Sequence, residues 1–282
     1  MYILAIETTG AFASVALLQA GTDGGRILEV IHGNDRFSHL QNLMPQIQQI
    51  LRNRELSIDA VAAIAVSHGP GSFTGIRIGV STARALAQVL KIPCIAVSSL
   101  EALALRGVGA VEGALLCPVL DARRKQVYGA AYELVDGQLV CRVEPASYLM
   151  TEFLEQLNGY LAADKAGSEE AASPRPAQIL FLGDGIDTCG GIIREWEQKR
   201  NADPEVCFAS EEIRYQDAGT VARRGLQMYL AGGSCEYMDL QPEYLRMAEA
   251  EKKLRDRQAA AAASEQEKSK TIQAASAQEK KQ

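Results

Sequence analysis

Residues 67–87, SHGPGSFTGIRIGVSTARALA, constrain the fold of this chain more than any other stretch. The apolar run 60–66 before them predicts a buried strand, and the cluster of glycine and proline that follows indicates a turn of unusual backbone conformation. Ser72 or Thr74 can then cap a helix predicted over residues 75–90. The chain is therefore predicted to turn sharply from a buried strand into a long helix.

Gly75, Gly79 and Ala83 recur every four residues along one edge of that predicted helix. Glycine inside a helix costs about 1 kcal/mol relative to alanine, so two of them one turn apart imply a close approach by another backbone. The neighbour is either the chain's own sheet or a helix of another subunit, and we favour the subunit. A phosphate at the helix N-terminus is a weaker interpretation, since the Gly-Lys-Ser/Thr ending of a P-loop is missing.

The stretch GPGSFTGIRIGVSTARALA resembles the signature of the TsaB (YeaZ) family, relatives of the threonylcarbamoyl-transfer protein TsaD. The signature turn would contain Gly69, Gly71 and Ser72. Other segments agree in the family's order and cover most of residues 1–246: ILAIETT near the start, SHLQNLMP at 38–45, LDARRKQVY at 120–128, GDG at 183–185 and PEYLR at 242–246.

The predicted order of strands and helices runs β-β-β-α-β-α and then repeats. This duplication suggests a two-lobed α/β architecture, the ribonuclease H-like (actin/hexokinase/Hsp70, ASKHA) fold. The predicted parts are an N-terminal lobe at 1–100, a C-terminal lobe at 101–216 with a flexible insertion at 162–177, a C-terminal helix and latch at 217–246 that packs back on the body, and a low-complexity Ala/Glu/Gln/Lys tail at 247–282.

Composition limits the partners and the compartment. The net charge of −6 is unlike that of a free-standing tRNA binder, so we expect any tRNA to be held mainly by a partner. The N-terminus lacks the charged start of a signal peptide, and no apolar run is long enough to span a membrane. The six cysteines include no C-x-x-C pair, which favours reduced thiols in the cytoplasm.

The chemistry of a nucleotide-binding ASKHA protein is eroded in this sequence. The resemblance makes one group of residues vestigial nucleotide-facing positions: Glu7, Thr8, Thr9, Asp121, Arg123, Gly183, Asp184 and Gly185. The basic pair that follows Asp121 would fill or neutralise a phosphate site. TsaD-type relatives carry H-x-x-x-H, whereas this chain has His39 followed four residues later by Leu43, so we expect no metal and no catalytic residue.

A well-formed fold with eroded chemistry and one helix suited to close contact indicates a subunit. We place the partner or dimer interface on helices 38–51 and 75–90, at His39, Leu43, Ile47, Gly75, Arg77, Gly79, Val80, Ala83 and Arg84. The resemblance implies a TsaD-type catalytic subunit and a TsaE-type ATPase as partners, with ATP and a metal ion on those subunits, indirect contact with tRNA, and a homodimer when the partner is absent.

The leading hypothesis is therefore a non-catalytic subunit for threonylcarbamoylation of adenosine 37 (t6A) in tRNAs that read codons starting with A. It would stabilise or activate TsaD and help to recruit TsaE. Two alternatives stay open: a stand-alone ATP-dependent kinase or acyl transferase of the ASKHA type, and a scaffold or stress factor that acts through the tail.

Overall fold

A computed structural model describes residues 1–21, 24–33, 39–165, 176–200 and 204–246. The tail at 247–282 and most of the insertion at 162–177 lie outside the described residues. The first lobe contains a five-stranded sheet and two long helices. Its elements are β1 (Tyr2–Glu7), β2 (Ser14–Gly21), β3 (Gly24–His32), α1 (His39–Asn53), a 3₁₀ turn (Ile58–Ala60), β4 (Val61–Gly69), α2 (Phe73–Leu90) and β5 (Cys94–Ser98).

The second lobe repeats this order after a linking helix, α3 (Ser99–Gly107). Its elements are β6 (Leu115–Asp121), β7 (Gln126–Val135), β8 (Gln138–Leu149), α4 (Met150–Lys165), β9 (Gln178–Leu182), α5 (Gly185–Arg200) and β10 (Glu205–Phe208). The short α6 (Glu211–Arg214) and α7 (Ala218–Leu230) follow.

The two sheets share one topology. The first has the order β3-β2-β1-β4-β5 and the second β8-β7-β6-β9-β10. In each, the first strand is antiparallel to the second and parallel to the fourth. The predicted duplicated, two-lobed ribonuclease H-like (ASKHA) fold is confirmed.

Alternation along the strands builds the first lobe in three layers. Leu4 and Ile6 of β1 face a core that α1 and α2 complete. The residues that alternate with them, Ile3 and Ala5, face the core formed with α7. Successive strand residues point to opposite faces, so apolar residues at every position of β1 require a helix layer on both sides.

α3 was not among the predicted elements, and it lies between the two sheets. Its Ala102 belongs to the core formed with α7, whereas Leu100 and Leu103 belong to a core on the second sheet. Apolar residues on two sides blur the one-sided pattern by which a surface helix is recognised.

No helix in the described ranges is both long enough and apolar enough to cross a membrane.

Candidate functional site

The signature turn between β4 and α2 holds the turn that follows β1. Ser72 donates its backbone N–H to the Thr9 carbonyl at 2.8 Å, and its hydroxyl caps α2 by accepting from the Gly75 N–H at 3.3 Å. Gly71 has a φ of +151°, and a β-carbon there would lie 2.6 Å from the Thr9 oxygen. Glycine is thus required here for both backbone conformation and space.

The glycine edge of α2 faces the chain's own body, which corrects our preference for a subunit contact. A β-carbon on Gly75 would lie 1.9 Å from the Thr8 carbonyl oxygen, and one on Gly79 would lie 2.4 Å from the Thr8 hydroxyl. That hydroxyl donates to the Gly75 carbonyl at 2.7 Å. Ala83 is fully buried in the same core. The close neighbour is therefore the Thr8 turn of the first lobe.

Three more predicted interface residues are also core residues. Leu43 and Ile47 of α1 and Val80 of α2 are each at most 2% exposed and pack against the first sheet. An apolar stripe on a helix faces its own sheet first, because that burial folds the lobe. For His39, at the start of α1, the side chain lies outside the described part of the structure.

The outward faces of these two helices carry different residues. Arg77 is exposed and Arg84 half-exposed, in line with an interface position for both. Elsewhere on the same helices, Met44 of α1 is 41% exposed and Val89 of α2 is 79% exposed. A contact surface on α1 and α2 would therefore use these side chains, of which Arg77 and Arg84 were predicted interface residues and Val89 was not.

Glu7 does not face a ligand cleft. Its side chain is fully buried, and Oε1 accepts from the Thr9 N–H at 2.5 Å and from the Thr9 hydroxyl at 2.6 Å. Burial raises the pKa of this carboxyl, while hydrogen bonding from Thr9 and the nearby Ser67 hydroxyl acts in the opposite direction. Even so, Oε2 and the Ser67 oxygen lack a well-formed hydrogen bond among the described residues. Glu7 and Thr8 are thus sealed beneath α2, contrary to their predicted nucleotide-facing positions.

The remaining acidic positions meet at a cleft of about 370 Å³ between the lobes, which we call the interlobe cleft. Asp184 Oδ1 accepts from the Asp121 backbone N–H at 2.9 Å, and Asp121 Oδ1 accepts from the Arg123 N–H at 2.8 Å. Burial, and then the charge of Asp121, raises the pKa of Asp184. Thr9 lines the same cleft. Four of the predicted nucleotide-facing residues therefore converge.

Two of the other predicted positions serve packing instead. A β-carbon on Gly183, where φ is +102°, would lie 2.1 Å from the Val119 carbonyl oxygen, and one on Gly185 would lie 2.8 Å from that oxygen. Both glycines let the turn after β9 approach β6, and neither lines the interlobe cleft. This close packing explains why glycine occupies both positions, and no bound nucleotide is needed to explain it.

Several residues of the cleft were not predicted as site residues. Phe73 and Thr74 from the first turn of α2, and Tyr128 from β7, line it together with Gly71 and Ser72. Phe73 and Thr74 could have been predicted from the sequence, because ligand sites in α/β sheets lie at the turns that follow central parallel strands.

The C-terminal segment 235–245, here called the C-terminal strap, holds the signature turn from the other side. The Glu243 N–H donates to the His68 backbone carbonyl at 2.8 Å, and the His68 ring Nδ1 lies 3.1 Å from the Gln241 carbonyl oxygen. A β-carbon on Gly69 would lie 2.2 Å from the Glu243 oxygen. Tyr244 accepts a hydrogen bond from Arg77 Nε at 3.0 Å. His68, one residue before the end of β4, is therefore bonded to the backbone of the strap, and Tyr244 helps to hold the strap against α2.

Comparison with known proteins places this architecture in a family. A family model described as TsaD, tRNA N6-adenosine threonylcarbamoyltransferase, matches residues 36–265. The tRNA threonylcarbamoyladenosine biosynthesis protein TsaB of Bacillus subtilis (strain 168) is 33% identical over 205 residues, which are 65% of this chain and 87% of the relative. The chain belongs to the TsaB (YeaZ) family. The TsaB of Escherichia coli (strain K12) is 35% identical over 56% of this chain and 68% of its own length.

Solved structures of YeaZ agree. The YeaZ structure from Pseudomonas aeruginosa has a TM-score of 0.65 at 25% identity, over 86% of this chain and 99% of that one. In the described residues of this TsaB-family chain, no group of three or more histidine, cysteine, aspartate or glutamate side chains is placed to hold a metal ion.

Proposed function

We propose that this chain is a subunit of the machinery that makes threonylcarbamoyladenosine (t6A) at position 37 of tRNAs reading codons that start with A. The observation that carries the proposal is its similarity to TsaB of Bacillus subtilis over 87% of that protein, whose name states a function in t6A biosynthesis. The subunit has no catalytic residue of its own and stabilises or activates a TsaD-type catalytic subunit.

The geometry of Glu7 and Asp121 supports a non-catalytic role for this chain. Glu7 is sealed under α2, so it cannot approach a nucleotide phosphate or its metal ion. One carboxylate oxygen of Asp121 accepts a hydrogen bond from the Arg123 backbone N–H, and Arg123 lines the same cleft. The cleft keeps the neighbouring acids Asp121 and Asp184, but Glu7 is not in its lining and Arg123 is, so the acidic residues of the two lobes do not face each other across it as they would around a bound triphosphate.

The contact with the TsaD-type partner lies on the outward faces of α1 and α2. Met44 and Val89 supply exposed apolar area there, and Arg77 and Arg84 supply charge. Interfaces of this kind bury a central apolar patch with a polar rim. The same face forms a homodimer when the partner is absent, since one patch can be self-complementary about a two-fold axis.

In this assembly the other chemistry belongs to the partners. ATP and the metal ion are bound by the TsaD-type subunit and by a TsaE-type ATPase, which the heterodimer recruits, and tRNA is held mainly by TsaD. The assembly works in the cytoplasm.

The test is t6A formation on tRNA, measured by nucleoside mass spectrometry with purified partners, threonine, bicarbonate and ATP. Product is expected only when this chain is present. A Val89→Glu variant should form less complex on a sizing column and make less product, whereas Leu230→Glu, exposed on α7 at 71%, is the matched control and should behave as wild type. Equal product with and without the chain would contradict the proposal.

A stand-alone ATP-dependent kinase or acyl transferase is the alternative. This hypothesis predicts that the isolated chain turns over ATP and that the Asp121→Asn substitution abolishes this turnover. If the isolated chain does not hydrolyse ATP, but t6A forms when this chain and its purified partners are combined, the subunit hypothesis stands and the stand-alone enzyme is wrong.

A further inference from the structure

The mouth of the interlobe cleft carries positive charge on a chain that is acidic overall. Arg123, Arg124 and Lys125, which we call the basic tip, are consecutive and exposed at the turn between β6 and β7. The net charge of the chain is −6, so three adjacent exposed cations are a local exception.

The backbone of the basic tip is unusual for these residue types. All three have positive φ angles, of 64°, 56° and 62°. The left-handed conformation costs a residue with a β-carbon about 1–2 kcal/mol, which glycine would avoid. Residues kept in such conformations are concentrated at functional sites.

Hydrogen bonds hold the tip in this conformation. The Ala122 N–H donates to the Gln126 carbonyl at 3.0 Å, and the Gln126 N–H donates to the Arg123 carbonyl at 3.0 Å. The Met150 N–H donates to the Lys125 carbonyl at 3.2 Å. Because these hydrogen bonds fix the backbone of the basic tip, they also fix the directions in which its side chains leave the backbone. A partner would therefore bind the tip without first ordering the turn.

Phe73, which also lines the interlobe cleft, belongs to an aromatic stack. Phe73 and Tyr244 have ring centroids 4.8 Å apart at an interplanar angle of 31°, and each is more than one third exposed. The Arg77 guanidinium lies 4.0 Å from the centroid of Phe73. Phe73 lines the same cleft as Arg123, so one residue of the aromatic stack and one residue of the basic tip border the same opening, with Tyr244 packed on the first and Lys125 two residues from the second.

The floor of the cleft has the opposite charge. Asp121 and Asp184 line the cleft and are less exposed than Arg123, so phosphates are repelled from the more buried part of the cleft and attracted to its exposed rim. That distribution suits a chain of phosphates that crosses the mouth better than one small anion that enters it. Exposed aromatic rings beside cations are the usual means of binding unpaired nucleotides, because rings stack on bases while cations contact the backbone.

We propose that the basic tip and the Phe73–Tyr244 stack bind an unpaired loop of tRNA directly, with Arg123 and Lys125 on backbone phosphates and the stack against a base. This inference rests on the proposed function for the identity of the RNA. It adds a direct contact to the indirect one expected from net charge.

The experiment measures binding of a fluorescent tRNA anticodon stem-loop to the full chain, alone and with its TsaD-type partner, at several salt concentrations. The double variant Arg123→Gln, Lys125→Gln should bind about tenfold more weakly near 0.15 M salt. The slope of log affinity against log salt should fall by about 1.4, since each single-strand phosphate contact contributes about 0.7. Tyr244→Ala should weaken binding about 5- to 150-fold, the loss of one stacked base.

Lys91→Gln is the matched control. Lys91 is an exposed cation with a φ of +55° at the far end of α2, so its loss removes the same charge from the same backbone conformation away from the cleft. Unchanged affinity and slope in the double variant would overturn the proposal, as would an equal loss in Lys91→Gln. Displacement of the RNA by stoichiometric ATP, with ATP binding lost in the double variant, would assign the rim to a nucleotide and also overturn it.

Failure of the proposed function gives a different result. If t6A forms without this chain, that function is wrong, while the binding measurement still tests the rim. If t6A needs the chain but the Michaelis constant for tRNA is the same in wild type and the double variant, the subunit function stands and the direct contact is wrong. The expected result is a Michaelis constant about tenfold higher, with a smaller change in turnover number.

Discussion

Glu7 and Asp121 occupy equivalent places in the two lobes, each at the end of the first strand of its sheet. In the first lobe, the Glu7 turn is covered by α2, and a β-carbon on Gly10 would lie 2.6 Å from the Gln216 side chain. In the second lobe, the turn after Asp121 projects Arg123 to the surface. The same strand order therefore yields one buried acid and one acid at an open cleft.

The difference teaches that the packing over a turn, and not the topology beneath it, decides its chemistry. Each lobe uses glycine in the same way: Gly75 lets α2 approach Thr8, and Gly183 lets the turn after β9 approach Val119. In the first lobe α2 covers Glu7 and Thr8 and leaves Thr9 at the cleft, whereas in the second lobe Asp121 itself lines the cleft. The following predictions test that contrast, from the largest expected effect to the smallest.

Substitution at Gly75 should have the largest effect. In Gly75→Ala the new β-carbon meets the Thr8 carbonyl at 1.9 Å, so backbone must shift, at a cost of about 3 kcal/mol in the free energy of unfolding. The expected fall in melting temperature is about 6–12 °C. Thermal unfolding followed by circular dichroism measures it.

Gly191→Ala in α5 is the control, because nothing lies within 4 Å of a β-carbon there. It should be neutral or stabilise the protein by up to about 1 kcal/mol. If Gly75→Ala melted like wild type yet lost partner binding, the glycine edge would be a partner contact after all.

The C-terminal strap should matter next. Leu240 is fully buried in the core beneath α1 and α2, so Leu240→Ala should lower the free energy of unfolding by about 2–3 kcal/mol. Met238, two residues earlier and 60% exposed, is the matched control, and its alanine variant should stay within about 0.5 kcal/mol of wild type. Urea unfolding measures both. Equal values for the two variants would mean that the strap does not contribute to the first lobe.

The sequence predicted the elements better than their contacts. The Asp-Gly pair at 136–137 is typical of a tight hairpin turn, and the two residues have the positive φ values that such a turn needs, 50° and 76°. The helix predicted at 75–90 is observed at Phe73–Leu90. Spacing of four along that helix identified a close approach, but the partner in that approach, Thr8, lies 67 residues earlier in the chain. Periodicity describes one helix face and carries no information on what packs against it.

The same limit applies to the candidate site. Thr9, Asp121 and Asp184 were predicted from their motifs and do meet at the interlobe cleft. Glu7 was predicted from the same resemblance and is buried, because its exposure depends on α2 and not on its own turn. Tyr244 reaches Phe73 only through the fold of the strap.

Glu7 itself should show a pH-dependent effect. Burial raises its pKa in the folded protein above the ordinary value of 4.5, so the folded state holds the proton more tightly than the unfolded state. Wild-type stability should therefore fall as the pH rises above about 4.5, until the folded pKa is passed. Glu7→Gln cannot ionise and keeps an acceptor for Thr9, so it should be more stable at pH 8 by about 1–3 kcal/mol.

The advantage of Glu7→Gln should shrink towards pH 5, which urea unfolding at four pH values between 5 and 8 would measure. A variant that is less stable than wild type at every pH would mean that the buried charge is satisfied in the native protein.

Asp121→Asn should have the smallest effect and completes the contrast between the lobes. Asp121 is half-buried at the cleft, and asparagine keeps an oxygen to accept from the Arg123 N–H. The expected change in the free energy of unfolding is within about 0.5 kcal/mol, as for other surface substitutions away from core features. A loss of 2 kcal/mol or more, measured by the same urea titration at pH 8, would mean that the second turn is as tightly integrated as the first. Because the native contacts of Asp121 are with backbone at an open cleft, its charge is free to act on a bound partner, whereas the charge of Glu7 acts only on the fold.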